Sequence, residues 1–356
     1  MTDSLPSAPL GPILVTGATG FVGKWVVILL LQAGYSVRGT IRSLSRAAEV
    51  KAGVATQTGE EALSRLELVE ADLLDDKGWS AAMQGVTAVM HVAAAIRGDE
   101  PKDQSLVIRP AVEGTERVLR FANQAGVKRV IMTSSVATVG YGHGTTPGGK
   151  KVFDETYFTK FENLKYTWAY CVGKTTAERN AWAYAKANGM ELTTIHPGAI
   201  VGPAVDGDPS ISIGLATGLL EGKIPAMPNN GFAVVDVRDV AALHVAALEN
   251  PKSIGERYLA TAEYMQFHGV ADILRENYPD WQITEKRAPD WIIKLIARFG
   301  GPARQIIDDI GNEKHYDPTK SIALLGRPYI TGRDAILASA ESAIRLGLIT
   351  KPAPKK

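Results

Sequence analysis

The chain has 356 residues, 45% of them hydrophobic, with 39 basic against 38 acidic side chains and one cysteine. That length and apolar content can bury one large core or two smaller ones and exclude a disordered chain. The balanced charge gives no electrostatic case for a nucleic-acid or anionic-membrane partner, and a lone cysteine excludes a disulfide framework and a Cys-based zinc site, so no metal is expected.

Residues Met1 to Leu10 lack the charged start and apolar core of a signal peptide, and the longest apolar run, Trp25 to Leu31, is too short to span a bilayer. A soluble, cytoplasmic protein is the expectation. Ile13 to Val15 reads as a buried parallel strand and Phe21 to Leu31 as the helix behind it, with Gly17, Gly20 and Gly23 between. The first glycine permits a tight turn, the second lets a pyrophosphate approach bare backbone, and the third lets helix pack on sheet. Helix-start amides attract phosphate, so Thr19, Phe21 and Val22 join the glycines as candidate dinucleotide contacts.

A second strand, Ser36 to Ile41, ends at Arg42, with Arg38 on the same strand face and Arg46 close behind. An acidic side chain there would hold ribose hydroxyls and repel a 2′-phosphate, whereas a guanidinium binds that phosphate through a fork of donors. NADP(H) is therefore the expected cofactor. Leu66 to Glu70 forms a third strand running into Asp72 and Leu73, where Asp72 either meets the adenine or caps the next helix. Thr87 to Val92 forms a fourth, whose trailing Ala93, Ala94 and Ala95 leave room for cofactor at the carboxyl edge of the sheet.

Leu106 to Ala125 has helical periodicity, and the strand Arg129 to Thr133 delivers Ser134 and Ser135. The glycine-rich stretch Tyr141 to Gly149 reads as a mobile loop at a substrate entrance. In a helix from about Thr167 to Asn188, Tyr170 and Lys174 share one face, and an adjacent ammonium is expected to draw the phenol's pKa down toward the working range. Leu192 to His196 leads to Pro197, Gly198 and Ile200, a rigid turn suited to a nicotinamide ring; His196 is expected to be structural. Asp206 to Asn230 lacks strong periodicity. Beyond it come a strand-helix unit over Phe232 to Leu248, a strand at Arg257 to Ala260, and helices at Gln266 to Asn277, Asp290 to Phe299 and Arg333 to Leu346. Trp281, Trp291, Phe299 and Met227 are expected in a core.

The stretches Val15 to Gly23, Gly34 to Arg42, His91 to Ala93, Arg109 to Thr115, Thr133 to Ser135, Tyr170 to Lys174 and His196 to Gly198 together resemble the extended short-chain dehydrogenase/reductases. Within them the likeness is to the dihydroflavonol reductase, cinnamoyl-CoA reductase and aldehyde reductase branch. The resemblance implies an α/β fold: a doubly wound parallel Rossmann sheet with a smaller, mostly helical C-terminal substrate domain. Residues 10–202 with 232–260 would form the NADP-binding part, and 203–231 with 261–350 the substrate cap. It also implies Ser135, Tyr170 and Lys174 as the catalytic set, Arg42 as the 2′-phosphate ligand, and Thr133 among the cofactor contacts.

Pro110-Ala111 stands where many members carry an asparagine, which speaks against a relay through that amide. Gly140 occupies a substrate-reading position that is often Asn or Asp in dihydroflavonol reductases. With Tyr141, His143, Val201 and Met227 it forms a candidate pocket of small and apolar groups. The expected reaction is NADPH-dependent reduction of a hydrophobic or aromatic aldehyde or ketone, by a monomer or a homodimer. An NAD-retaining nucleotide-sugar epimerase or dehydratase shares the set, but Arg42 weighs against it. An NADP-sensing regulatory protein would have little reason to keep all three groups.

Overall fold

The computed structural model describes residues 11–94, 100–144, 149–207, 214–299 and 301–352. The readings of Met1 to Leu10, Ala95 and the middle of the Tyr141 to Gly149 loop fall outside the described residues.

Seven parallel strands form the central sheet: β1 (Ile13–Thr16), β2 (Val37–Ile41), β3 (Leu66–Glu70), β4 (Ala88–His91), β5 (Arg129–Thr133), β7 (Glu191–Pro197) and β10 (Arg257–Ala260). Their order is β10-β7-β5-β4-β1-β2-β3, so the winding reverses between β1 and β4. Alternate side chains along each strand feed two apolar layers. Ile13 and Val15 pack with α1 (Phe21–Gln32), α2 (Ala47–Thr58) and α7 (Val237–Glu249). Leu14, Val89 and Val130 pack on the other face with α3 (Trp79–Ala82), α4 (Ser105–Gln124) and α5 (Ala169–Asn188). Burial on both faces is why these strands read as near-continuous apolar runs.

A three-stranded sheet, β8 (Ala199–Val201), β9 (Gly231–Asp236) and β11 (Glu263–Gln266), stands apart from the main one. Thus β9 does not join the Rossmann sheet, although α7 after it and β10 do take their places there. Val201, Met227, Val234 and Met265 join α6 (Gly214–Leu220), α8 (Phe267–Asn277) and α11 (Gly332–Arg345) in a separate apolar cluster. A short parallel pair, β6 (Lys150–Phe153) with β12 (Glu313–Tyr316), ties the segment after β5 to the C-terminal part. Two more helices, α9 (Asp290–Phe299) and α10 (Thr319–Leu325), complete the set. Of the four residues expected in a core, Met227 is buried and Trp281 packs partly against this cluster. Trp291 and Phe299 instead lie exposed on α9, because that helix buries only Ala297. Among the described residues, no helix is long and apolar enough to cross a membrane.

The reversal point sets the site. After β1 the chain turns at Gly17, whose φ is +71°, and a Cβ there would lie 2.9 Å from the Ala93 Cα beyond β4. A Cβ at Gly23 would lie 2.2 Å from the Gly17 carbonyl, so α1 seats directly on the turn. Gly17→Ala must accept both a left-handed conformation and this clash, so it should lower unfolding stability by about 2 kcal/mol. Urea denaturation of the two proteins measures it; an unchanged midpoint would contradict the packing described.

Candidate active site

Three strand ends and one helix build the site. At the β1 turn the Gly17 amide donates to Thr40 Oγ1 (3.2 Å) and the Ala18 amide to the Thr40 carbonyl (3.0 Å). Gly20 caps α1 with no side-chain bond, and no acid stands in the first turn. Gly20 is exposed, and Thr19, Phe21 and Val22 keep part of their surface open. At the end of β4 the Val92 and Ala93 amides both donate to Thr16 Oγ1 (3.0 Å each), which holds the alanines against the glycine turn; Ala94 follows, partly exposed.

Beyond β2, Arg42 is exposed, and no side chain among the described residues pairs with it. Arg38 is engaged elsewhere, donating to Glu67 (2.6 Å) and to the Ala82 and Gln84 carbonyls. Arg46 pairs with Glu49 (2.7 Å). Asp72 accepts from the Leu74 amide (2.8 Å), closing a turn rather than capping a helix, and Leu73 lies against Gly114 of α4.

β5 delivers the serines. Ser135 Oγ accepts from the Ala137 amide (3.1 Å) at a short turn, and Ser135 shares a cavity wall with Tyr170 in the first turn of α5. Glu100 fixes that helix start by accepting from the Ala169 amide (2.9 Å). Lys174 is buried one turn on and donates to the Thr133 carbonyl (2.8 Å), while Thr133 Oγ1 meets His244 Nε2 at 2.7 Å.

The expected electrostatic effect of Lys174 on Tyr170 is not what this geometry gives. Burial pushes the phenol's pKa up, only partly countered by the Ser135 hydroxyl, and the ammonium is turned to the strand carbonyl. Lys174 is itself pushed down to about 8 by burial, with Glu178 acting in the opposite sense. Tyr170 therefore holds its proton at neutral pH, the state of an acid.

Beneath these groups lies a buried network that sequence reasoning missed. Glu178, one helical turn beyond Lys174, accepts from Ser134 Oγ (2.6 Å) and Arg257 Nε (2.8 Å) and lies 3.4 Å from His196 Nε2. Burial raises its pKa, but the Arg257 guanidinium and the hydrogen bonds from Ser134 and Thr138, with His196 alongside, together leave the carboxyl below its ordinary value. Arg257 also donates to the Tyr157 carbonyl (2.7 Å) and covers the Phe158 ring at 3.8 Å. The sole local signal was the spacing of four from Lys174.

A cavity of about 280 Å³ opens above Ser135 and Tyr170, lined by Tyr141, Trp168, Phe232 and Tyr316 together with Gly198 and the Asp309–Lys314 pair. Trp168 stacks on Tyr170 with ring centroids 5.6 Å apart and meets Tyr141 edge-on at the same distance. Of the proposed substrate contacts, Tyr141 lines this cavity, and Gly140 lies behind the Tyr316 hydroxyl. His143 turns to the Val139 carbonyl (3.0 Å) and packs on Phe153 and Tyr157, while Val201 and Met227 are buried in the C-terminal cluster. None of these three reaches the cavity: β8 takes Val201 and a bridge to Arg287 takes Met227 into the C-terminal cluster, while His143 packs on β6. Pro197 ends β7, and Ile200 on β8 pairs with Val235. Among the described residues, no group of three or more His, Cys, Asp or Glu is placed to hold a metal ion.

The sequence pattern of the NAD dependent epimerase/dehydratase family matches residues 13–260, and the chain belongs to that family. Its relatives place it among the extended short-chain dehydrogenase/reductases. It is 36% identical over 290 residues to a cinnamoyl-CoA reductase from Medicago truncatula, covering 80% of this chain and 87% of that one. It is 34% identical over 282 residues to dihydroflavonol 4-reductase from Zea mays, covering 78% and 77%. The fold is also that of yeast methylglyoxal/isovaleraldehyde reductase complexed with NADPH, at TM-score 0.75 and 24% identity, covering 95% of this chain and all of that one.

Three buried imidazoles flank Lys174, and each is held neutral chiefly by burial: His91 at about 3, His196 and His244 at about 4. In the unfolded chain each takes up a proton near its ordinary 6.5. Folding therefore excludes protons below that value, and stability is full above it and lost as pH falls toward 4. Three coupled sites give a slope of at most about 4 kcal/mol per pH unit. Urea midpoints between pH 7.5 and 5 should fall steeply, and a flat profile would show that these imidazoles are not desolvated.

Proposed function

We propose that the protein is an NADP(H)-dependent carbonyl reductase that converts a hydrophobic or aromatic aldehyde or ketone to its alcohol. The relatives above are reductases, and the chain is an oxidoreductase. The observation that carries the substrate reading is that Ser135 and Tyr170 share the wall of one aromatic-lined cavity, with Lys174 beneath.

The residues present fit the cofactor. The glycine turn, closed on Ala93, leaves the Gly20 backbone bare and the first-turn amides of α1 without a side-chain cap, as a pyrophosphate requires. Arg42, exposed just past β2 where an acid would hold NAD, offers its fork to a 2′-phosphate, and the same-fold yeast reductase carries NADPH. Lys174 and Tyr170 would hold the nicotinamide ribose, with Pro197 and Gly198 against the ring.

When bound, NADP(H) supplies the hydride. Ser135 Oγ donates to the substrate carbonyl oxygen and stabilises the charge that develops on it. Tyr170 gives that oxygen its proton, and the raised pKa keeps the proton available across the neutral range. The Lys174 ammonium, anchored on the Thr133 carbonyl one helical turn from Tyr170, serves the ribose rather than the phenol. The rings of Tyr141, Trp168 and Phe232 exclude water and present flat apolar faces to the substrate.

A panel of aromatic aldehydes, ketones, diketones and acyl-CoA thioesters with NADPH and NADH tests the reading. Tyr170→Phe should abolish turnover while NADPH affinity stays within about threefold, because the hydroxyl acts on the reacting oxygen. Normal turnover by that variant removes Tyr170 from the reaction. Arg42→Ala should weaken NADPH by about tenfold to a hundredfold and leave NADH nearly unchanged, the worth of hydrogen bonds to a charged group. Equal losses for both cofactors would refute the assignment of Arg42.

A further inference from the structure

Helix α9 is built inside out. A surface helix of a globular protein turns its apolar stripe to the core, yet here only Ala297 is buried. Trp291 is 66% exposed, Leu295 43%, Ile296 48% and Phe299 85%. These are four of the nine exposed large apolar side chains among the described residues, gathered on one ten-residue helix. At about 100° per residue, Trp291, Leu295, Phe299, Ile292 and Ile296 span an arc of about 140° opposite Ala297. Lys294 and Arg298 flank one edge of that arc, exposed and without an ion-pair partner among the described residues. The helix is nonetheless held firmly at its end, where Arg304 donates to the Ala297 (2.9 Å) and Arg298 (3.1 Å) carbonyls.

The charge around this face is local. Residues 285–304 carry five basic and two acidic side chains, whereas the whole chain is balanced to +1. A second copy docking with this basic edge at the two-fold axis would bring Lys294 and Arg298 near their own counterparts, a repulsive pairing. An anionic lipid surface meets both demands: acyl chains accept Trp291, Leu295 and Phe299, and phosphate and carboxylate headgroups accept the flanking cations. We infer that α9 is a peripheral docking helix that lies in the headgroup layer of an anionic bilayer. Gln305, Ile306 and Asp309, just beyond it, line the cavity over Tyr170. A chain docked this way holds its cavity beside the bilayer, where apolar carbonyl compounds concentrate.

The full-length protein should float with phosphatidylcholine vesicles containing about one-third phosphatidylserine and stay behind with pure phosphatidylcholine, with binding falling as salt is raised. Trp291→Glu with Phe299→Glu, both at exposed positions, should reduce flotation by at least about tenfold, and Lys294→Gln with Arg298→Gln should abolish the lipid selectivity. Circular dichroism and the thermal midpoint of each variant should match the parent, which separates lost docking from lost folding. No flotation of the parent, or equal flotation of the double glutamate variant, overturns the proposal. So does a concentration-dependent dimer in sedimentation that the glutamates dissolve while vesicles are ignored. None of these outcomes depends on which carbonyl compound is reduced.

Discussion

The site depends on one buried carboxylate. Glu178 belongs to α5, yet its bonds reach Ser134 at the end of β5, Arg257 on β10 and His196 on β7. Taking a carboxylate and a guanidinium out of water is costly, and their attraction offsets this only when the remaining donors and acceptors are filled. Here they are filled by backbone carbonyls, the Ser134 hydroxyl and the Trp182 indole. The arrangement is therefore strict, because each element must hold its register for the charge to be satisfied. Ser135 follows Ser134 in the chain, and Lys174 stands one turn before Glu178. The network thus fixes from below both groups that flank Tyr170.

The nucleotide half of the fold was legible because its strands are buried on both faces and its helices are long. The turn chemistry at Gly17 and Gly23 was legible for the same kind of reason: both positions have a steric requirement that only glycine meets. The short strands β6, β8, β11 and β12 were not, since each pairs with a partner chosen by tertiary packing. The regular helix α2 also escaped, for its sequence mixes small and polar residues with few apolar anchors beyond Val50 and Val54.

At the site, the positions of Ser135, Tyr170 and Lys174 along the chain could be read, but the direction in which Lys174 points could not. A spacing of four states only that two side chains share a helix face, and a strand carbonyl competes for the ammonium. Arg257 lies 79 residues beyond Glu178, so their pairing has no local signature. Similarly, Trp291 and Phe299 carry an apolar pattern that reads as core wherever a core is assumed. The pattern fixes which face is apolar and leaves open what that face meets.

The electrostatics around Lys174 follow from the same burial. His91, His196 and His244 are all enclosed and kept neutral, so they donate or accept hydrogen bonds without adding positive charge beside the ammonium. Had they been charged, the lysine would have lost its proton to repulsion as well as to desolvation. The carboxylate of Glu178 then supplies a nearby negative charge that opposes the burial, which is why so deeply buried a lysine falls only to about 8. A cation that survives burial at neutral pH on the Thr133 carbonyl, one helical turn from a phenol that keeps its own proton there, leaves that phenol as the acid of the proposed reaction.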